Sequence, residues 1–184
     1  MKFTPQSIAD VILIEPTIHG DDRGYFVETL RQDLLEEAIG YKVNFVQDNE
    51  SKSIKGVLRG VHYQLPPYTQ AKLVRVIEGN VLDVAVDIRK SSRTFGQHMS
   101  LELTAQNKHQ LFVPHGFAHG FVVLSDSATF AYKVDNYYAP EHDRGIAFDD
   151  DQLKIDWQLS AEELQLSDKD RAHSSLANAK YLFE

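Results

Sequence analysis

The sequence predicts an all-β fold, an antiparallel barrel or sandwich with a few short helices. Two observations carry this. Short apolar segments recur through the 184 residues, separated by turn signals such as Asp21-Asp22-Arg23-Gly24, Glu78-Gly79-Asn80 and Ser125-Asp126-Ser127. Helical spacing is best developed over 31–39, where Leu34, Leu35, Ala38 and Ile39 share a face and Gly40 stops the run. A double-sheet jelly roll is an all-β arrangement that encloses a pocket between its sheets.

The elements follow in order. Val11-Ile12-Leu13-Ile14 reads as a strand that Pro16 ends. A second covers 25–30, aromatic and apolar with Glu28 inside it, and a third begins at 43–46 and runs into Gln47-Asp48-Asn49. The stretch 56–76 reads as two strands around a loop holding Pro66, Pro67 and Tyr68. VLDVAVDI at 81–88 spaces Asp83 and Asp87 through an apolar strand, and 100–103 alternates cleanly. Leu111-Phe112-Val113-Pro114 leads through the turn His115-Gly116 to a strongly apolar strand containing His119, and 129–134 is a strand containing Tyr132. Residues 136–151 are loop-like, with Tyr137, Tyr138 and Pro140. The tail carries a capped turn from Ser160 to Glu163 and the polar cluster Ser167-Asp168-Lys169-Asp170.

Length and composition suit one domain over 1–184, with 42% hydrophobic and 25% charged residues. A net charge of -8 argues against nucleic acid and against an anionic membrane surface as partners. No apolar run reaches the roughly 20 residues that cross a bilayer, and the N-terminal segment carries no secretory signal. With no cysteine there is no disulfide framework and no thiol chemistry, which fits a cytoplasmic protein.

The central stretch concentrates the polar chemistry. In a regular strand Val57, Arg59, Val61 and Tyr63 share one face, while Leu58, His62 and Gln64 share the other. In the next strand Lys72 and Val74 share a face, opposite Leu73 and Arg75. Such groups are costly to bury without partners. They form either the polar outer face of a half-exposed sheet or the lining of an internal pocket. A jelly roll favours the pocket, with Arg59, His62 and Lys72 inside.

The spacing is similar to that of cupins. Gly56, five residues and His62 match the opening of the first cupin motif, and Pro114-His115-Gly116-Phe117-Ala118-His119 matches the second. A metal-binding cupin would place a second histidine where Gln64 stands and a glutamate near Lys72. Two imidazoles beside an ammonium make a poor cation site. The expectation is therefore a cupin-type double-sheet jelly roll that keeps its pocket without a metal, with His119 either in the pocket or a hydrogen-bonded core histidine. Inside that pocket His62 is the natural general base. Its orienting acid is Asp83, Asp87 or Asp170, and residue types alone do not choose among them. Lys72 can stabilise a developing enolate oxygen, Tyr132 can return a proton, and Arg59 and Arg23 can bind phosphate. Each also has a plainer role as a surface ion pair, a solvated amine or a core aromatic. Together they are the parts needed to remove a proton next to a ketone.

The wider pattern is more specific. The matching pieces are Asp22-Arg23-Gly24-Tyr25-Phe26-Val27-Glu28, Phe45-Val46-Gln47-Asp48-Asn49 and Val57-Leu58-Arg59-Gly60-Val61-His62-Tyr63-Gln64. They continue with Lys72-Leu73-Val74-Arg75-Val76, Asp83-Val84-Ala85-Val86-Asp87-Ile88-Arg89, Thr94-Phe95-Gly96, 114–121, Tyr132-Lys133 and Leu166-Ser167-Asp168-Lys169-Asp170. In these the chain resembles the dTDP-4-dehydrorhamnose 3,5-epimerase family. The resemblance implies a homodimeric jelly-roll cupin acting on a dTDP-sugar, dTDP-4-dehydro-6-deoxy-D-glucose, with neither metal nor other cofactor. It implies His62 as base, Asp170 as its orienting acid, Tyr132 as acid and Lys72 at the enolate. It places Arg59 and Arg23 at the diphosphate, and Phe26, Glu28, Gln47, Asn49, His119 and Tyr138 around the substrate. Some of these come from a partner through an exchanged N-terminal segment, while the C-terminal tail packs on the barrel. Residues 172–184 match only loosely. The rival readings are an epimerase of one centre only, a non-catalytic nucleotide-sugar-binding cupin, and a metal-dependent cupin oxygenase or isomerase.

Overall fold

A computed structural model describes residues 1–184. The strands are β1 (Lys2–Pro5), β2 (Ile12–Glu15), β3 (Ile18–Asp21), β4 (Gly24–Val27), β5 (Gln47–Ile54), β6 (Leu58–Gln64) and β7 (Lys72–Glu78). They continue as β8 (Asn80–Asp87), β9 (His98–Thr104), β10 (Gln110–Val113), β11 (Phe117–Val123), β12 (Ser127–Val134) and β13 (Asp143–Gly145). Helix α1 (Gln32–Ile39) and helix α2 (Asp168–Arg171) are both short. A six-stranded sheet runs β1-β2-β10-β7-β12-β5, and a five-stranded sheet runs β13-β6-β11-β8-β9. This is the all-β double-sheet arrangement the turn spacing predicts. The expected strand at 43–46 starts only at Gln47, and the one at 25–30 ends at Val27. No helix is long and apolar enough to cross a membrane.

Alternation decides which side chains meet. Val74 and Val76 of β7, Leu111 and Val113 of β10 and Phe130 of β12 point from one sheet toward Val81 and Ala85 of β8 and Phe117 and Phe121 of β11 from the other. The reverse face of the five-stranded sheet is also buried. There Leu58, Val61, Leu82, Val84, Val86 and Val122 pack against Ile146, Leu153, Trp157, Leu164 and Leu176 from the C-terminal segment. Covering on both faces explains why β8 reads as a nearly continuous apolar run. Helix α1 buries Leu35 on the outer face of the six-stranded sheet, against Ile12, Ile14, Leu73 and Phe112. Gly40 caps it at φ 81°, as the stop signal predicts.

One departure from strict alternation shapes the site. Along β6 and β11, His62 pairs with His119 but Arg59 pairs with Phe121, so β6 carries one residue more than its partner. Such a bulge re-aims the side chains beyond it. Arg59 and His62, opposed in a regular strand, therefore both reach the cavity, while Leu58 and Val61 both enter the outer core. Gly60 sits in the bulge at φ +129°, and a Cβ there would lie 2.5 Å from Gly120 Cα and 2.8 Å from the His119 carbonyl oxygen. Gly60→Ala is expected to cost about 1–3 kcal/mol, the usual overpacking penalty. A urea midpoint equal to wild type would show that the two strands part freely.

Beta hairpin β3–β4 pairs with neither sheet, with Tyr25 60% and Phe26 65% exposed, although the Lys108 ammonium lies 4.8 Å above the Tyr25 ring.

Candidate active site

The cavity lies between the sheets and measures about 340 Å³. His62 enters it from β6, and Asp170 approaches from the far end of the chain. Ser167 opens α2 as its N-cap, and its hydroxyl oxygen accepts from the Asp170 N–H at 3.1 Å. The same hydroxyl donates to Asp170 Oδ2 at 2.8 Å. This fixes the carboxylate so that Oδ1 lies 2.5 Å from His62 Nε2. Of the three acids left open by residue type, Asp170 is the one that reaches His62. Asp83 instead lies against His119, with its oxygens 2.9 and 3.0 Å from Nε2, and both residues are buried. Asp87 accepts from Arg89, Ser92 and Thr94.

The facing sheet supplies the other two groups. Val134 of β12 pairs with Lys72 of β7, and Tyr132 pairs with Val74, so Lys72 and Tyr132 share the inward face. Both line the cavity, as do Arg59, His119 and Tyr138. A histidine–carboxylate pair thus looks across the cavity at an amine and a phenol.

The residues do not fit the metal that many cupins hold. Gln64, at the histidine position, is committed to the backbone: its amide donates to the Tyr68 and Tyr137 carbonyls and its oxygen accepts from the Ala139 N–H at 2.6 Å. It ties two rim loops together. His62, Asp170 and His173 bring three donor atoms within 4.8 Å of one another. There, however, His62 and Asp170 are already hydrogen-bonded to each other, and the Lys72 ammonium opposes a cation.

Comparison with known proteins agrees with this geometry. The family model described as dTDP-4-dehydrorhamnose 3,5-epimerase matches residues 5–178. The chain is 54% identical to the dTDP-4-dehydrorhamnose 3,5-epimerase of Pseudomonas aeruginosa over 97% of this chain and 98% of that one. The crystal structure of the enzyme of that name from Elizabethkingia anophelis superposes with a TM-score of 0.95 at 48% identity, covering 98% of this chain and 99% of the other. A Legionella pneumophila dTDP-6-deoxy-D-glucose-3,5-epimerase, solved in complex with dTDP-4-keto-L-rhamnose, gives 0.92 at 50% identity, covering 96% and 93%. The chain belongs to the dTDP-4-dehydrorhamnose 3,5-epimerase family.

In this family member the electrostatics suit proton transfer. Burial pushes the His62 pKa below its ordinary value against the pull of Asp170, which favours the neutral base. Nε2–H donates to Asp170, leaving the lone pair on Nδ1. Burial works to raise the Asp170 pKa, but the imidazoles of His173 and His62 and the Ser167 hydroxyl outweigh it and hold the carboxyl well below the carboxylate range. Lys72 is pushed down to about 8 by desolvation, which the more distant Asp143 and Asp83 only partly offset. Burial raises the Tyr132 phenol, keeping it protonated.

Not every expected residue converges on the cavity within one epimerase chain. Arg23 and Phe26 lie on the β3–β4 hairpin beside Ile18 and Tyr25, on a separate surface, and Arg23 pairs with Asp21 at 2.5 Å. Glu28 follows that hairpin. Asn49 pairs with Tyr132 of β12 and so shares its inward face, on the half-buried side of β5, but it stands outside the cavity lining itself. Gln47 donates to Asn49 Oδ1 at 2.8 Å and accepts from the Tyr138 N–H at 3.3 Å. Sequence reasoning missed Asp143, which pairs with Lys169 and accepts from the Tyr138 hydroxyl at 3.1 Å. It lay in a stretch read only as loop. It also missed His173 and the capping role of Ser167, although Ser-x-x-Asp at 167–170 is a cap signature.

Proposed function

We propose that the chain converts dTDP-4-dehydro-6-deoxy-D-glucose to dTDP-4-dehydro-L-rhamnose by inverting C3 and C5, a step of dTDP-L-rhamnose biosynthesis. The observation that carries this reading is the His62–Asp170 pair on one wall of the cavity facing Lys72 and Tyr132 on the other. The C4 ketone acidifies the protons on C3 and C5. His62, oriented by Asp170, takes one of them. Lys72 stabilises the enolate oxygen in a site where burial strengthens its charge. Tyr132 returns a proton from the opposite wall, which inverts the centre, and the second carbon is treated in turn. These steps call for a base, an acid and a fixed cation, and for no redox or metal chemistry. Arg59 binds phosphate from inside the cavity, and a cysteine-free chain suits a cytoplasmic setting.

The arm β3–β4 completes the site of a second copy. It carries Arg23 and Phe26 into solvent with Ile18 and Tyr25 also exposed, a combination that suits burial against another chain. Sedimentation is expected to give a species of two chains; a single-chain species would remove this part of the reading.

Proton NMR with dTDP-4-dehydro-6-deoxy-D-glucose in deuterated buffer containing chelator tests the reaction. Deuterium is expected at both C3 and C5. Deuterium at one carbon only would make the protein a single-centre epimerase. No exchange by folded protein would leave a binding role or a different nucleotide sugar.

A further inference from the structure

We propose that His173 is a positioning residue for this reaction: it shares the Asp170 carboxylate with His62 and so holds His62 in its proton-accepting form. The inference rests on the reading of His62 as the base. His173 Nε2 is buried without a hydrogen-bond partner. It lies 3.6 Å from Asp170 Oδ1, the same oxygen that His62 Nε2 holds at 2.5 Å. The two imidazoles meet edge to face, with ring centroids 5.4 Å apart and planes at 81°. This placement is built into the fold. Gly145 leaves room for the ring, since a Cβ there would come within 2.3 Å of His173 Nε2. The following residue is pinned to the barrel, with the Ala147 N–H donating to the Ser174 carbonyl at 2.9 Å.

The chemistry follows from what a buried nitrogen can present to a carboxylate. A lone pair aimed at Oδ1 would be repelled and left unsatisfied, at a cost of order 1–3 kcal/mol. A proton on Nε2 turns the same contact into attraction. His173 is therefore the Nε2–H tautomer, and Asp170 Oδ1 has two N–H groups competing for it. A carboxylate shared in this way draws less strongly on the His62 proton, so His62 binds its second proton less tightly. The other charged groups around the pair act alongside. Lys72 on β7 also disfavours a cationic His62, whereas Asp143 on β13 favours one. Lys169 beside Asp170 is spent on its ion pair with Asp143. His119 is occupied with Asp83. Beside the Ser167 hydroxyl on Oδ2, His173 is thus the group that tunes how much of the Oδ1 charge His62 feels.

The test is the pH profile of kcat/KM for wild type, His173→Gln and His173→Leu, read beside nitrogen-15 NMR of the wild-type imidazoles. His173→Leu is expected to move the acid limb up by about one pH unit, so that activity falls by up to about tenfold at the foot of that limb while activity above pH 8 changes little. His173→Gln keeps an N–H donor and is expected to restore most of the wild-type profile. In the wild-type protein the proton of neutral His173 is expected on Nε2. An unmoved acid limb with a uniform loss of rate would reduce His173 to a structural role. A bare Nε2 in the wild-type spectrum would overturn the proposal even if the leucine variant failed to fold. Neither result touches the base itself, which His62→Ala tests separately.

Discussion

His62→Ala is expected to lose both epimerisation and the exchange of substrate C3 and C5 protons with solvent deuterium. A positioned general base contributes about 10²–10⁴-fold, and in the proposed mechanism one imidazole serves both carbons, so both exchanges fall together. The structure makes this a sharp test, because the Asp170 oxygens are engaged by His62 Nε2 and the Ser167 hydroxyl. The alanine leaves the Ser167 cap of α2 untouched, so the fold survives the change. Exchange near the wild-type rate in folded His62→Ala protein would remove His62 as the base. Tyr132→Phe separates the second half of the reaction in the same spectra. Proton removal continues while return from the opposite wall fails, so epimerisation falls further than exchange.

The parts of this site that were legible in the sequence are those that short-range rules govern. Alternation put Lys72 and Val74 on one face, which is the inward one, and turn signals marked 21–24 as a turn, which is the tip of β3–β4, although the strand β3 before it was not read. What alternation could not give is the bulge at Gly60, because a period of two assumes a regular ladder, and one extra residue on β6 reverses the assignment of Arg59 relative to His62. The partner of His62 was open among three aspartates for a related reason. Asp170 lies 108 residues away, and only the tail closing over the outer face of the five-stranded sheet brings it in. That tail was the least readable segment. Its apolar residues Leu176, Leu182 and Phe183 are scattered among polar ones without a period, and they are held by contacts with the barrel. The buried carboxylate of Asp150, for example, accepts from the backbone N–H of Leu153 and of Leu176. The resemblance to known epimerases named Asp170 where physical reasoning stopped; the Ser167 cap and the 2.5 Å contact now supply a physical reason for its position.

Lys72→Met is expected to separate activity from stability. In the proposed mechanism the ammonium stabilises oxyanion charge, so its loss should lower kcat by about 10²–10³, the usual effect of removing one preorganised oxyanion group. Stability should move the other way. Desolvation takes the Lys72 pKa from 10.5 to about 8, so the charged form is disfavoured in the folded protein by roughly 3 kcal/mol at most. Below about pH 8 both folded and unfolded chains carry the proton, and the penalty is present in full. Between about 8 and 10.5 the unfolded chain still binds the proton while the folded chain has shed it, so wild-type stability rises with pH through that window. Methionine of similar length fills the same space without a charge. Urea unfolding at pH 7 should therefore find the variant more stable by about 1–3 kcal/mol, with the gap closing as pH rises above 8. The same depressed value makes wild-type activity fall as pH climbs through about 8, because the neutral amine no longer stabilises the enolate. A variant that is both inactive and less stable at pH 7 would mean that Lys72 is paired in the folded protein. The tension between an amine that weakens the fold and one that the enolate needs would then disappear.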